Sequence, residues 1–140
     1  DALGGLSRTS RERLVDWLTE GMAEYIAYST MIRLGEMRSA DVDAFMLSSA
    51  VVTGQAASCL VTLEGSSSSL WPGHIGFFAV KTLIDRSPHG LRSLRMVSEA
   101  LGARATFEQA FEQAFGLTKQ AFYDLFPAHV AGLGGPSSCR

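Results

Sequence analysis

The sequence predicts an all-α fold, a single compact bundle of five or six helices. Three observations carry that expectation. Apolar residues recur at helical spacing in every long segment, helix-start signals stand at the head of several segments, and no stretch alternates apolar and polar residues with the period of a strand. With 140 residues, 46% of them hydrophobic and 19% charged, the chain can bury a core without disulfides or a structural metal. Composition also excludes classes of function. A net charge of −2 gives no general electrostatic footprint for nucleic acid. No apolar run approaches the roughly 20 residues that a spanning helix needs. Two cysteines, Cys59 and Cys139, make neither a disulfide scaffold nor a thiolate zinc site.

The first helix opens at Thr9, which pairs with Glu12 in the pattern of a capping box. Asp16, ahead of Trp17, is a second start signal. Leu14, Leu18, Met22, Tyr25 and Ile32 keep helical spacing, and Gly35 closes the run. A second helix starts after Ser39, aided by Asp41 and Asp43 near its positive end. It runs through Phe45, Val51, Val52 and Cys59 toward Leu63, with Gly54 as its weak point. Gly65 to Gly73 is a serine-rich loop in which Leu70 and Trp71 can fold back on a neighbouring surface.

A third helix covers His74 or Ile75 to about Arg86, with Phe77, Phe78, Val80, Leu83 and Ile84 as its apolar content. Ser87 to Gly90 is a turn, and a fourth helix carrying Leu91, Leu94 and Val97 stops at Gly102. Thr106 and Gln109 form another capping box. It heads a short helix with Phe107, Phe111 and Phe115 on one face, ended by Gly116. Thr118 caps a last helix with Phe122, Leu125 and Phe126, which Pro127 disturbs or terminates. Residues 1–131 thus form one helical domain without an internal boundary, and 132–140 a flexible tail.

The informative stretch is Trp17-Leu18-Thr19-Glu20-Gly21-Met22-Ala23-Glu24-Tyr25. On a helix of 3.6 residues per turn, Glu20 lies opposite the Leu14, Leu18 and Tyr25 stripe. Asp16, Ala27 and Met31 flank it, and Glu24 is one turn on. Small Gly21, Ala23 and Ala27 beside these acids would let another helix approach closely. From the residues alone the face is either a solvated one, whose i,i+4 like charges slightly disfavour the helix, or a site.

This stretch resembles the W-L-x-E-G-x-A-E-Y signature of the gluzincin zinc metallopeptidases, specifically the peptidase MA-like family. Gly73 to Ile84 is similar to that family's Y-x-x-G-x-x-x-V-x-x-L helix. Thr106 to Phe122 is similar to its closing pair, S-F-E-x-A-F-x-x-A-F-G-L-S-x-x-x-F. The resemblance spans residues 14 to about 130, and its first motif is the most specific part. It implies the C-terminal helical subdomain of a gluzincin, with peptide-bond hydrolysis as the activity and a peptide or protein as substrate. Glu20 takes the position of the third zinc ligand, and Glu24 that of a carboxylate orienting it from behind. Three protein ligands leave zinc an open position for a water whose pKa falls to about 7. Relatives carry a tyrosine near the start of the later helix that stabilises the transition state. Here Gly73 and His74 stand in that region, so His74 is the candidate donor, unless it merely begins the helix. His89 reads as an exposed turn residue and His129 as a complement to a helix C-terminus.

The chain departs from the family in having no H-E-x-x-H, since His74, His89 and His129 are isolated. In the family that helix precedes the glutamate ligand, which places it upstream of Asp1 and suggests a processed or excised segment. The intact parent is therefore expected to hold zinc through an upstream H-E-x-x-H segment of the same gene product. The isolated chain is expected to be inactive and to bind no zinc tightly, because a lone carboxylate does not hold zinc in water. Two other classes stay open. One is a non-catalytic, peptidase-like interaction module that uses the Ser66–Ser69 loop and apolar surface. The other is a DNA-binding regulator, because residues 105–126 resemble the helix-turn-helix of TetR-like repressors. That stretch, however, carries one basic residue, Lys119, against Glu108, Glu112 and Asp124, so no nucleic acid partner is expected. Cys59, on an apolar helix, reads as a buried, inert thiol.

Overall fold

The computed structural model describes residues 15–52, 57–65 and 72–134. Within them the regular elements are α1 (Asp16–Arg33), α2 (Ser39–Val52), a 3-10 stretch (Ala57–Leu63), α3 (Gly73–Arg86), α4 (Arg92–Gly102), α5 (Phe107–Phe115) and α6 (Lys119–Gly132). No strand occurs among the described residues, and the chain is an all-α bundle. None of these helices is long and apolar enough to cross a membrane. The Thr9/Glu12 box, Leu14, Gly54, the Ser66–Ser69 loop, Leu70, Trp71, residues 135–140 with Cys139 and the side chain of Cys59 lie outside the described residues.

Local chemistry sets most helix ends. At the end of α1, Gly35 takes φ 77°. Its N–H reaches the Ile32 carbonyl at 3.0 Å and that of Glu36 reaches Met31 at 3.0 Å. This is the paired closure that a left-handed residue permits. At the head of α5 the Gln109 amide donates to Thr106 Oγ1 at 3.2 Å, and the Thr106 amide donates to Gln109 Oε1 at 3.0 Å. The expected capping box is thus made. Gly116, at φ 76°, ends α5. Thr118 Oγ1 accepts from Ala121 N–H at 3.1 Å and starts α6.

One expectation is corrected. The second helix does not run as one α-helix to Leu63; α2 ends at Val52, and the chain is described again from Ala57 in the tighter 3-10 form. The fourth helix stops at Gly102, as expected, and Arg104 reverses the chain just beyond it at φ 68°. The closure bond there runs from Ala105 N–H to the Ala100 carbonyl at 3.0 Å. Of the two outcomes expected for Pro127, it disturbs its helix without terminating it: it sits inside α6, which continues to Gly132. Its ring removes the bond that residue 127 would make to the Tyr123 carbonyl. Phe126 and Val130 are both fully buried beside it, and their packing holds the helix together across the break.

The core joins all of these elements. α1 packs on α3 through a glycine–glycine crossing. A Cβ at Gly21 would run into the Gly76 backbone, and one at Gly76 into the Trp17 carbonyl. Trp17, Leu18 and Met22 share the buried cluster with Phe77, Phe107, Phe111 and Phe122. Aromatic packing ties α5 to α6, with ring centroids 4.8 Å apart for Phe111 and Phe115, 5.9 Å for Phe111 and Phe122 and 5.2 Å for Phe122 and Phe126. Such spacings are those of attractive offset and edge-on ring pairs.

Candidate functional site

The nine-residue stretch of α1 divides by face. Trp17, Leu18, Gly21 and Met22 are buried. The Tyr25 ring lies 6.1 Å from that of Phe77. Glu20 and Glu24 are only partly covered, and Ala23 and Ala27 are exposed. Gly21 is therefore not part of the open face with Ala23 and Ala27, as the sequence suggested. Its lack of a side chain is consumed by α3 of the same chain. The face left open carries Asp16, Glu20, Ala23, Glu24, Ala27 and Met31.

α1 is held in place at its N-terminus. Val15 offers no side-chain cap, and the Asp16 amide donates instead to the Glu64 carbonyl at 3.1 Å. One residue on, the buried Trp17 indole N–H donates to the Tyr123 hydroxyl at 2.7 Å. That hydroxyl donates to Glu64 Oε1 at 2.6 Å. The Lys119 ammonium meets the same oxygen at 2.9 Å and lies 3.2 Å from Glu108. It also stands 5.7 Å from the Phe107 ring centroid and 5.6 Å from that of Tyr123. Burial and the Glu64 carboxylate push the Tyr123 phenol far above its ordinary range, so it is a permanent donor. Burial alone would lower the Lys119 pKa, but its hydrogen bonds to Glu64 and Glu108 outweigh that and raise it. Glu108 is lowered by a bond to its own backbone and by Lys119. The partners Trp17 and Tyr123 are 106 residues apart in sequence. No local pattern announces such a link, and sequence reasoning missed it.

On the open face the electrostatics run the other way. Glu20 has its pKa raised by partial burial, then by Asp16, then by Glu24. Among the described residues, no lysine or arginine pairs with these three acids. Glu20 and Glu24 are one turn apart on the same helix.

His74 is the second residue of α3. Its Nδ1 is buried with no hydrogen-bond partner. The Phe45 ring of α2 meets the imidazole edge-on, with centroids 6.3 Å apart and planes at 90°. Phe45 in turn lies 6.4 Å from the Tyr28 ring of α1. An aromatic line therefore connects His74 to the helix that carries Glu20. His89 is exposed in its turn, and His129 stands in the last turn of α6. Neither belongs to the α1 face.

No group of three His, Cys, Asp or Glu side chains able to hold a metal converges among the described residues. The donor set on α1 suits one position of a zinc site, that of a single carboxylate with a second behind it, and does not make a whole site. Compared with family models, with curated proteins and with solved structures, the chain matches none of them.

Proposed function

We propose that this chain is the C-terminal helical part of a gluzincin-like zinc metallopeptidase domain. In this reading Glu20 is the third protein ligand, Glu24 orients it, and two histidines come from an H-E-x-x-H helix outside these 140 residues. The observation that carries the reading is the division of labour along α1. Trp17, Leu18, Gly21, Met22 and Tyr25 have visible packing duties. Glu20 and Glu24 have none, and Asp16 and Glu24 on either side of Glu20 disfavour its charged form. Residues that cost stability without a structural return are what a functional site leaves behind. Zinc bound with one open position supplies a polarised water.

The chain's own residues then have distinct tasks. Glu20 contributes a charged oxygen ligand, and Glu24 fixes its direction. His74 donates a hydrogen bond to the oxygen that becomes negative as the peptide carbonyl is attacked. A bare, buried Nδ1 favours the tautomer with its proton on Nε2, because an unpaired buried acceptor is more readily tolerated than an unpaired buried N–H. That tautomer leaves Nε2 as the donor.

The test is chelator-sensitive peptide hydrolysis by the whole natural polypeptide that contains this chain. Glu20→Gln should abolish it. Glu24→Gln should cost on the order of 10–100-fold, and His74→Ala should lower turnover with zinc still bound. The isolated 140-residue chain should show no such activity. Chelator-sensitive cleavage by the isolated chain, lost in Glu20→Ala, would refute this reading. A whole polypeptide without chelator-sensitive hydrolysis would favour a non-catalytic interaction module. Exposed Phe45 and Val51 on α2, at 51% and 54%, support that second reading, because large apolar side chains left in solvent are candidates for a contact surface. DNA binding has no comparable support: Lys119, the one basic residue of the α5–α6 hairpin, is already held by Glu64 and Glu108.

A further inference from the structure

A cleft of about 330 Å³ opens between α2, α3 and the end of α6. Its volume lies at the lower end of the range of small-molecule sites, about 300–1,000 Å³. None of Asp16, Glu20 or Glu24 lines it, so it is separate from the α1 face. Leu47 from α2, Phe78 from α3 and Leu133 beyond α6 make apolar walls. The polar groups are gathered in Asp43, Lys81, Thr82, Asp85 and His129.

The chemistry of a fitting ligand follows from which of these groups the protein has already used. Thr82 Oγ1 donates to the Phe78 carbonyl at 2.7 Å. Lys81 Nζ is held by both oxygens of Asp43, at 3.1 and 2.9 Å, and that pair is electrically closed. Among the described residues no cation meets Asp85. What the cleft still offers is a carboxylate acceptor at Asp85, spare lone pairs on Asp43 and the imidazole of His129, which stacks on Phe126 with centroids 6.3 Å apart. Two carboxylates against one ammonium repel an anion and attract a cation. A metal ion is the poorer fit, because no three ligating side chains converge among the described residues, whereas an ammonium needs only acceptors.

We propose that the cleft binds a small apolar molecule ending in a protonated amine, its body between Leu47 and Phe78 and its ammonium on Asp85. The site does not depend on the peptidase reading, and Glu20→Gln should leave it intact. A matched probe series of phenylbutylamine, phenylbutanol and phenylbutyrate, added to the 140-residue chain and followed by amide NMR shifts, separates charge from shape. The amine should bind roughly tenfold or more tightly than the carboxylate, the ratio expected for one charge-assisted hydrogen bond. Its shifts should centre on the cleft residues. Asp85→Asn should weaken the amine about tenfold while leaving the alcohol unchanged, and Ala44→Leu, which fills the mouth from an exposed position of α2, should abolish binding of all three. Phenylbutyrate binding as tightly as the amine, or amine binding indifferent to Asp85→Asn, would overturn the proposal. So would the absence of saturable amine binding.

Discussion

Two groups of acids lie near Trp17, and the molecule treats them in opposite ways. Glu64 and Glu108 are answered: a tyrosine hydroxyl and a lysine converge on Glu64, and the same lysine reaches Glu108. Asp16, Glu20 and Glu24 are set one turn apart on a single helix, where the central carboxyl is disfavoured in its charged form. The first group links α1, the residue after the 3-10 stretch, α5 and α6. In the second, Asp16 suits the first turn of α1, while the side chains of Glu20 and Glu24 make no ion pair or hydrogen bond among the described residues. The charges that link elements here are paired, and Glu20 is left unpaired at a cost to its charged form.

Substitutions around α1 sharpen this contrast, and the largest effect belongs to its inner face. Gly21→Ala places a methyl group against the Gly76 backbone. With backbone on both sides of the crossing, neither partner can turn aside as a flexible side chain would. Loss of about 3 kcal/mol or more in urea unfolding is expected, at the upper end for overpacked cores. A Gly21→Ala chain as stable as its parent would show that α1 and α3 do not cross there.

A smaller loss tests the paired acids. Tyr123→Phe removes one hydroxyl but strands two groups, the buried Trp17 indole N–H and one side of Glu64. An unfolding cost of about 1–3 kcal/mol is expected for the buried donor left without a partner. A neutral outcome would mean that the network closes without the phenol.

The smallest effect has the opposite sign. Glu20→Gln removes two like-charge neighbours spaced four residues apart, each worth about 0.2–0.5 kcal/mol. The isolated chain should therefore become slightly more stable at neutral pH. The pH dependence follows from the raised pKa of Glu20. Its folded state takes up a proton more readily than its unfolded state, so this group's share of stability is greatest in acid. That share declines as pH rises from the ordinary carboxyl value of 4.5 through the raised one. The advantage of Glu20→Gln should accordingly appear above that interval and vanish below it. A Glu20→Gln chain less stable than the parent at neutral pH would place Glu20 among the structural acids.

What the sequence made legible was local. The Thr106/Gln109 box, the Thr118 cap and the glycine closures at Gly35 and Gly116 each depend on residues within a few positions, and all are present. The buried positions of Phe77, Phe107, Phe111 and Phe122 followed from helical spacing in the same way. Local signals were ambiguous or misleading where distant packing decides the outcome. Pro127 lies inside α6 because Phe126 and Val130 are anchored in the core on both sides of it. Gly21 looked like part of an open face because α3, the helix that fills it, joins only at residue 76. Of the candidate site, the placement of Glu20 and Glu24 on the uncovered side of α1 was readable from periodicity. The Trp17–Tyr123–Glu64 link that positions the helix was not, because its members come from three separate segments.

The claim that Glu20 is kept free for a metal is tested most directly by zinc content. The whole natural polypeptide and its Glu20→Gln variant should be purified without chelator and analysed for bound zinc by mass spectrometry. The parent should carry close to one zinc per chain and Glu20→Gln close to none, with the helical signal of the variant intact. Zinc retained in full by Glu20→Gln, or a parent polypeptide that binds none, would contradict it.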